Sequence, residues 1–160
     1  MTATRHIEMR GVTKAYRFFT LQDLSLDLEP GQVMGFVGPN GAGKSTTIRL
    51  AMGLVGADTG EIRVLGCPMP EAQALAKRDI GFVSAEMRLM PNATLGWHMK
   101  LVADVYPGWD AQYASTLVKR FNLRTGQMAR SLSQGEHIKA ALPLVVVGPA
   151  RRVLRTLATR

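Results

Sequence analysis

Apolar and polar residues alternate in two stretches near the beginning of the sequence. Residues 7–13 have the pattern of a strand, and Leu24, Leu26 and Leu28 are separated by polar residues. A period of two is typical of a strand with one buried face. Because a Pro-Gly pair at residues 30–31 then turns the chain, we predict two strands before it.

The next apolar stretch does not alternate. Residues 33–37 form a short apolar run that leads into Gly38, as expected of a strand buried on both faces. From Lys44 onward the apolar spacing changes to three and four, which predicts a helix. The residues that give this spacing are Ile48, Met52 and either Ala51 or Val55.

Strand patterns and helical patterns are separated along the rest of the chain. A turn signal at residues 58–60 precedes a predicted strand at 61–65, and residues 80–83 are a further strand candidate. Helices are predicted at residues 95–105 and directly after Asp110, a favourable N-cap residue. The apolar face of the second helix would consist of Tyr113, Leu117 and Phe121.

The length of 160 residues suits a single domain. Within it we expect a β-rich core at residues 1–84, a helical part at 85–141 and a basic tail at 142–160. A content of 46% hydrophobic residues is enough for a buried core. The single cysteine, Cys67, excludes an internal disulfide framework and favours a reducing, cytoplasmic setting.

The net charge of +8 is unevenly distributed. No Asp or Glu follows Glu136, whereas five basic residues do. Aromatic residues do not interleave with the basic ones, so we expect no nucleic-acid partner. The start of the chain lacks an export signal, and the apolar stretch at residues 140–150 is shorter than the roughly 20 residues of a spanning helix. Any membrane association is therefore expected through a partner.

Residues 38–45, GPNGAGKS, match the phosphate-loop pattern G-x-x-x-x-G-K-[ST] between a predicted strand and a predicted helix. Glycines allow successive backbone N–H groups to face phosphate oxygens. Lys44 would supply a cation to the β- and γ-phosphates, and Ser45 a hydroxyl ligand to Mg²⁺, at the positive end of the helix. The alternative is a glycine-rich turn that only reverses the chain.

The longer segment GPNGAGKST resembles the phosphate loop of ABC-transporter ATPases, and other segments follow that family's order. Residues 12–16 resemble the family's A-loop, which implies that Tyr16 stacks on adenine, although a tyrosine at a strand edge is the alternative. Residues 60–66 resemble the family's antiparallel strand segment. The resemblance implies that ATP contacts Gly38, Pro39, Asn40, Gly41, Ala42, Gly43, Lys44, Ser45 and Thr46.

The segment LSQGE at residues 132–136 is similar to the family's LSGGQ signature. The resemblance implies that Ser133, Gln134, Gly135 and Glu136 face the γ-phosphate of ATP held by a second subunit. A serine and a glycine at a helix start also offer a hydroxyl and N–H groups to an anion. Gln134 and Glu136 depart from the family pattern by adding bulk and negative charge, and an ordinary capped helix is the alternative.

Three elements of the family have no match in this sequence. At the Q-loop, Ala85 occupies the position of the expected glutamine, and Glu86 is a weaker candidate for the Mg²⁺ ligand. No apolar strand ends in the Asp-Glu pair of Walker B, and no switch-loop histidine follows, because His137 comes directly after the signature. The sequence therefore offers none of the family's catalytic residues.

The family motifs stop after about Ala141. Pro143 is expected to interrupt the helix that follows the signature, at a cost of about 3 kcal/mol. Residues 144–147 are apolar, as Walker B requires, but a Gly-Pro pair follows them. We therefore hypothesise a shifted reading frame followed by an early stop. A competing hypothesis treats residues 151–160 as a basic amphipathic helix for a partner or a lipid surface.

Together these features predict an α/β fold. It would be a P-loop NTPase core of the ABC ATPase type, with an N-terminal antiparallel β subdomain and a helical subdomain, and without the final strands. The resemblance implies an ATP- and Mg²⁺-binding subunit of an ABC transporter, paired head to tail with itself or another ABC ATPase. It would couple ATP hydrolysis to substrate movement by transmembrane permease subunits, and be cytoplasmic and peripheral to the membrane. The alternative is a nucleotide-binding module, or a truncated remnant, that does not hydrolyse ATP.

Overall fold

A computed structural model describes residues 5–84, 87–106, 108–146 and 152–155. The chain divides into two compact units between Lys77 and Arg78. The first unit contains the N-terminal sheet and the glycine-rich loop, and the second contains the longer helices. Within these described ranges, every helix is too short or too polar to cross a membrane.

An antiparallel sheet of four strands organises the first unit. Strands β1 (Ile7–Tyr16) and β2 (Phe19–Leu28) form a hairpin, β3 (Thr59–Val64) pairs with the other edge of β1, and β4 (Cys67–Pro68) follows β3. The strand order is β2-β1-β3-β4. The two predicted N-terminal strands and the strand predicted at 61–65 are confirmed, and the hairpin strands are longer than the sequence pattern indicates.

The buried face of the first unit comes from alternate strand residues and one helix. In β1, Ile7, Met9 and Val12 are buried, and the alternation skips a residue because the pairing register shifts between Met9 and Val12. Helix α1 (Lys44–Ala51) lies against β3 and buries Leu50. The helix predicted from Lys44 is confirmed, but it ends before Val55. A one-turn helix, α2 (Gln73–Ala76), follows β4.

The strand predicted at residues 33–37 is wrong. No strand is present between residues 29 and 43, and Val33 and Val37 are 98% and 99% exposed. A strand buried on both faces requires hydrogen-bonded neighbours and a covering layer on each side. No strand in the described part of the chain pairs with this run. Its apolar composition alone does not fix an extended, buried conformation.

The second unit is mainly helical. Its described elements are strand β5 (Ile80–Val83), helices α3 (Leu95–Val105), α4 (Ala111–Arg120) and α5 (Gln134–Val146), and strand β6 (Arg152–Arg155). Strands β5 and β6 pair in parallel. The strand predicted at 80–83 and the helix predicted at 95–105 are confirmed.

Asp110 caps α4 as predicted, since its Oδ1 accepts a hydrogen bond from the Tyr113 backbone N–H at 2.8 Å. The predicted apolar face of this helix is only partly correct. Leu117 is buried, but Tyr113 is exposed, and the remaining buried positions are Ala114 and Val118. A tyrosine tolerates this position because its hydroxyl group prefers contact with water or a polar partner.

Pro143 does not interrupt the helix after the signature segment, so that expectation is wrong. Helix α5 runs through Pro143 to Val146. Pro143 is itself fully buried, and Ala140, Leu142 and Leu144 around it belong to two apolar clusters. Burial of this face offsets the hydrogen bond that proline cannot donate to the preceding turn.

The apolar run at residues 144–147 is likewise not a strand where it is described, because residues 144–146 belong to α5. The helix proposed for residues 151–160 is wrong at Arg152–Arg155, which form β6 and pair with β5 through the backbone. The other residues of that segment lie outside the described ranges. Parallel pairing with an existing strand satisfies backbone groups that a short isolated helix would leave exposed at its ends.

Candidate nucleotide-binding site

The glycine-rich loop at residues 38–43 connects the exposed run at 33–37 to helix α1. Residues 38–42 are exposed, whereas Gly43, which precedes the first residue of α1, is buried. Gly41 and Gly43 have φ angles of +85° and +86°. This left-handed region is readily accessible to glycine and costly for other residues. The two glycines therefore allow the loop to turn sharply into the helix.

The Lys44 side chain reaches back across this loop. Its Nζ donates hydrogen bonds to the carbonyl oxygens of Gly38 and Pro39, both at 2.7 Å. These two bonds use two of the three N–H donors of an ammonium group. The positive charge is thereby held beside the loop, where an anion would meet it together with the loop backbone.

The N-terminus of α1 is suited to an anion. In α1, all of whose residues are described, no side chain caps the N-terminus and the first turn contains no acidic residue. The Gly43 carbonyl accepts from the Thr47 backbone N–H at 2.8 Å and from Thr47 Oγ1 at 3.0 Å. Ser45 is exposed and Thr46 is half-buried in this turn. The partial positive charge of the helix end is therefore available to a bound phosphate.

Gly43 packs closely against strand β2. A Cβ atom at Gly43 would lie 2.9 Å from Leu21 Cδ1 and 3.0 Å from Phe19 Cζ. Carbon atoms attract each other best at about 3.5–4.0 Å, so a side chain here would require its neighbours to move. The β2 side chains thus limit where the last glycine of the loop can lie.

Tyr16 ends β1 in the same unit and is 42% exposed. Its ring stacks on that of Phe19, with centroids 6.5 Å apart and planes inclined by 24°. The Lys14 Nζ lies 6.0 Å from the centroid of the Tyr16 ring. An exposed aromatic ring is therefore held next to a second ring that lies beside the phosphate loop.

Asp58 anchors the end of β1 that carries Tyr16. Its carboxylate accepts from Lys14 Nζ at 2.6 Å and from the Ala15 backbone N–H at 2.8 Å. The hydrogen bond from Lys14, followed by that from Ala15, holds the pKa of Asp58 below its usual range. Since Asp58 directly precedes β3, this carboxylate ties the end of β1 to the start of β3.

The predicted signature residues form the start of α5 in the second unit. The Ser133 backbone N–H donates to Glu136 Oε2 at 2.8 Å, and Ser133 Oγ accepts from the Glu136 backbone N–H at 3.3 Å. This reciprocal pair is a capping box. The Ser133 backbone N–H, and then its hydroxyl, lower the pKa of Glu136. Gln134 and Gly135 are exposed beside the pair.

The structure brings Tyr16 and the loop at 38–46 into one unit and places residues 133–136 in the other. Ala85 and Glu86 lie outside the described residues. Among the residues that are described, no group of three or more His, Cys, Asp or Glu could hold a metal ion. Mg²⁺ commonly takes one or two carboxylates together with substrate phosphates. The phosphate loop itself fits a polyphosphate, and within it the hydroxyl oxygen of Ser45 is the predicted ligand of a phosphate-bound Mg²⁺.

Phe19 contacts Tyr16 and lies beside Gly43, but it was not among the residues predicted from the sequence. The available signal was the pair of aromatic residues in the segment YRFF, where the β1–β2 hairpin turns. The approach of Phe19 to the phosphate loop depends on tertiary structure, so no spacing in the sequence predicts it.

A glycine-rich loop that leads into an uncapped helix with a lysine at its first position is characteristic of phosphate-loop nucleotide-binding proteins, and this chain is of that class. The model of the family described as ABC transporter matches residues 21–154. The chain therefore belongs to the ABC transporter family and corresponds to its ATP-binding domain.

Curated relatives carry names from the same family. The chain is 32% identical over 138 residues to the Nod factor export ATP-binding protein I of Cupriavidus metallidurans, covering 82% of this chain and 46% of that protein. It is 31% identical over 149 residues to the ABC transporter ATP-binding protein YtrB of Bacillus subtilis, covering 92% of this chain and 50% of that protein. The chain thus spans about half the length of these relatives.

Solved structures confirm the predicted fold class. An ATP-binding subunit of an ABC transporter superposes with a TM-score of 0.80 at 23% identity, covering 93% of this chain and 65% of that chain. A dimeric ATP-binding cassette in a post-hydrolysis state with ADP and Pi superposes with a TM-score of 0.77 at 21% identity, covering 93% and 72%. These similarities establish the α/β fold of the ABC ATPase type.

Proposed function

We propose that this chain binds ATP with its phosphate loop, as the ATP-binding subunit of an ABC transporter. The proposal rests on the position of Lys44. Its Nζ lies 2.7 Å from the Gly38 and Pro39 carbonyl oxygens, at the start of a helix whose first turn contains no acidic residue. There a triphosphate would meet an ammonium group, loop amides and the positive end of α1. Tyr16 would carry the adenine, and Ser45 would supply an oxygen to phosphate-bound Mg²⁺.

The proposed partners are a second cassette and transmembrane permease subunits. Two cassettes would pair head to tail, as a homodimer or with another ABC ATPase, so that Ser133 and Gly135 of one chain face ATP held by the other. The exposure of Gln134 and Gly135 supports this, because a partner molecule can reach the backbone of both residues. Closure of the pair would move the permease subunits, with the cassette at the cytoplasmic face of the membrane.

A second candidate function is nucleotide binding without hydrolysis. Ala85 stands where the resemblance implies a metal-binding glutamine, and no Asp-Glu pair occurs in the given sequence. Residues 144–146, the most suitable apolar run, belong to helix α5. This chain would then hold ATP without positioning an attacking water.

Calorimetric titration of the purified chain with ATP and MgCl₂ tests the proposal. Lys44→Ala removes the ammonium group, and loss of a charged hydrogen bond to phosphate is expected to weaken binding by about ten- to hundredfold. Lys119→Ala, at an exposed lysine of α4, is the matched control and should bind as the wild type does. Equal ATP affinity in Lys44→Ala and the wild type would contradict the proposal.

Phosphate release measured on the same samples separates the two candidate functions. Steady release that Lys44→Ala abolishes would support the hydrolysing subunit. Lys44-dependent binding without release would support the non-hydrolysing module.

A further inference from the structure

Phe19 lies between the two parts of the proposed ATP site. On one side its ring stacks on Tyr16, with centroids 6.5 Å apart. On the other side its Cζ would be 3.0 Å from a Cβ atom at Gly43, the last glycine of the phosphate loop. Phe19 begins β2 and is the direct cross-strand partner of Tyr16. One ring therefore adjoins both the residue proposed for adenine and the loop proposed for phosphate.

We propose that Phe19 is a positioning residue that couples the base-binding end of the site to its phosphate-binding end. This inference rests on the proposed function, because it requires ATP to lie across Tyr16 and the phosphate loop. The ring of Phe19 acts through its neighbours: it limits the orientation of the Tyr16 ring and the position of Gly43. Closely packed side chains transmit such displacements instead of absorbing them.

Other contacts fix the backbone on either side independently of Phe19. Asp58 holds Lys14 and the Ala15 N–H, so the end of β1 remains in place without the Phe19 ring. Leu21 Cδ1 also lies close to Gly43 and supports the loop from the same strand. Removal of the Phe19 ring is therefore expected to loosen both ends of the site while the hairpin stays folded.

Phe18 provides a matched control for Phe19. It is the neighbouring residue of the same type, but it is 88% exposed, and Arg17 Cζ lies over its ring, 4.8 Å from the ring centroid. Phe18→Ala removes the same group from the same turn. It should not disturb either end of the site.

The experiment compares two ligands, ATP and inorganic tripolyphosphate, each with MgCl₂, because tripolyphosphate has the phosphates without a base. Tyr16→Ala should lose ATP affinity by about five- to hundredfold, as loss of base stacking predicts, and should keep its affinity for tripolyphosphate. Phe19→Ala should lose affinity for both ligands, with tripolyphosphate weakened on the order of threefold or more. Phe18→Ala and the conservative Phe19→Tyr should bind both as the wild type does.

Unchanged tripolyphosphate affinity in Phe19→Ala would overturn the inference, and so would equal losses in Phe18→Ala and Phe19→Ala. Circular dichroism establishes that each variant is folded. If Phe19→Ala is not, Phe19→Leu replaces it, because leucine lacks the Cζ atom beside Gly43 and the ring that stacks on Tyr16, and it must still weaken binding of both ligands. Binding by the wild type that depends on Lys44 but not on Phe19 would contradict this inference alone. Absence of binding by the wild type, or binding that Lys44→Ala does not weaken, would contradict the proposed function and this inference with it.

Discussion

Gly41 and Gly43 have the same backbone conformation and different surroundings. Their φ angles are +85° and +86°, but a Cβ atom at Gly41 would meet nothing within 4 Å, whereas one at Gly43 would meet Phe19 and Leu21 at 3.0 and 2.9 Å. The left-handed conformation costs an alanine about 1–2 kcal/mol at either position. Only Gly43 adds a packing conflict to this cost.

We therefore expect Gly43→Ala to lower the free energy of unfolding more than Gly41→Ala does. The difference should be on the order of 1 kcal/mol, the low end of the cost of overfilling a packed site, because the atoms that the new Cβ meets are the ends of side chains that can shift. Urea denaturation of the two variants and the wild type measures it, and Gly41→Ala is the control for backbone strain. Equal losses in the two variants would show that Phe19 and Leu21 do not restrict the loop.

Among elements, the start of α5 combines a structural role with a proposed functional one. The capping box between Ser133 and Glu136 satisfies the backbone N–H groups of both residues. Because hydrogen bonds from Ser133 lower the folded-state pKa of Glu136, the carboxylate stabilises the fold above its unfolded-state pKa. That stabilisation is lost as the pH falls through the lowered folded-state value.

Glu136→Gln is therefore expected to weaken the pH dependence of unfolding in the acid range, below the ordinary glutamate pKa of about 4.3. Ser133→Ala should lower stability by about 1 kcal/mol near neutral pH, because it removes the N-cap hydroxyl. Thermal unfolding from pH 3 to pH 7 measures both effects. Identical acid profiles for the wild type and Glu136→Gln would contradict the capping-box account.

Elements whose patterns are local were predictable from the sequence. Alternation identified β1 and β2, and Asp110 identified the start of α4, because the cap and the apolar period both lie within a few residues. The prediction of a strand at 33–37 was wrong because pairing partners outside the run decide whether such a segment is extended. The prediction for Pro143 was wrong for a similar reason. The rule that proline interrupts a helix considers only residues close in sequence, whereas burial of this helix face depends on tertiary packing.

In the candidate site, too, only the features formed by neighbouring residues in the sequence could be predicted. The loop at 38–43 and Lys44 follow from a motif whose residues are contiguous, and the structure holds the lysine on the loop carbonyls. The contact of Phe19 with Tyr16, and its approach to Gly43, join residues that only the folded hairpin brings together. Whether the signature residues face a nucleotide remains a prediction, since it depends on a second cassette.

For the whole molecule, the exposed apolar run at 33–37 is a surface through which separate molecules can associate. Val33 and Val37 are almost fully exposed, and Met34 and Phe36 in the same run are also exposed. Contiguous exposed apolar residues promote association between molecules. The run therefore predicts self-association of the purified chain.

The double variant Val33→Ser, Val37→Ser should scatter less light than the wild type at the same concentration. Its free energy of unfolding should change by less than about 0.5 kcal/mol, as for other exposed positions. Leu50→Ser, at a fully buried position of α1, is the contrasting control and should destabilise the fold strongly. Strong destabilisation by the double variant would show that these valines are buried in solution.

The proposed function depends on binding of the phosphates of ATP by the loop at 38–43 and the start of α1. Nuclear magnetic resonance of the isotope-labelled chain, titrated with ATP and MgCl₂, observes those backbone amides directly. In the wild type, the amide signals of residue 38 and residues 40–46 are expected to shift and saturate together, and in Lys44→Ala they should saturate only at about ten- to hundredfold higher ATP concentration. Saturable shifts confined to other residues, with 38–46 unchanged, would contradict the proposed function.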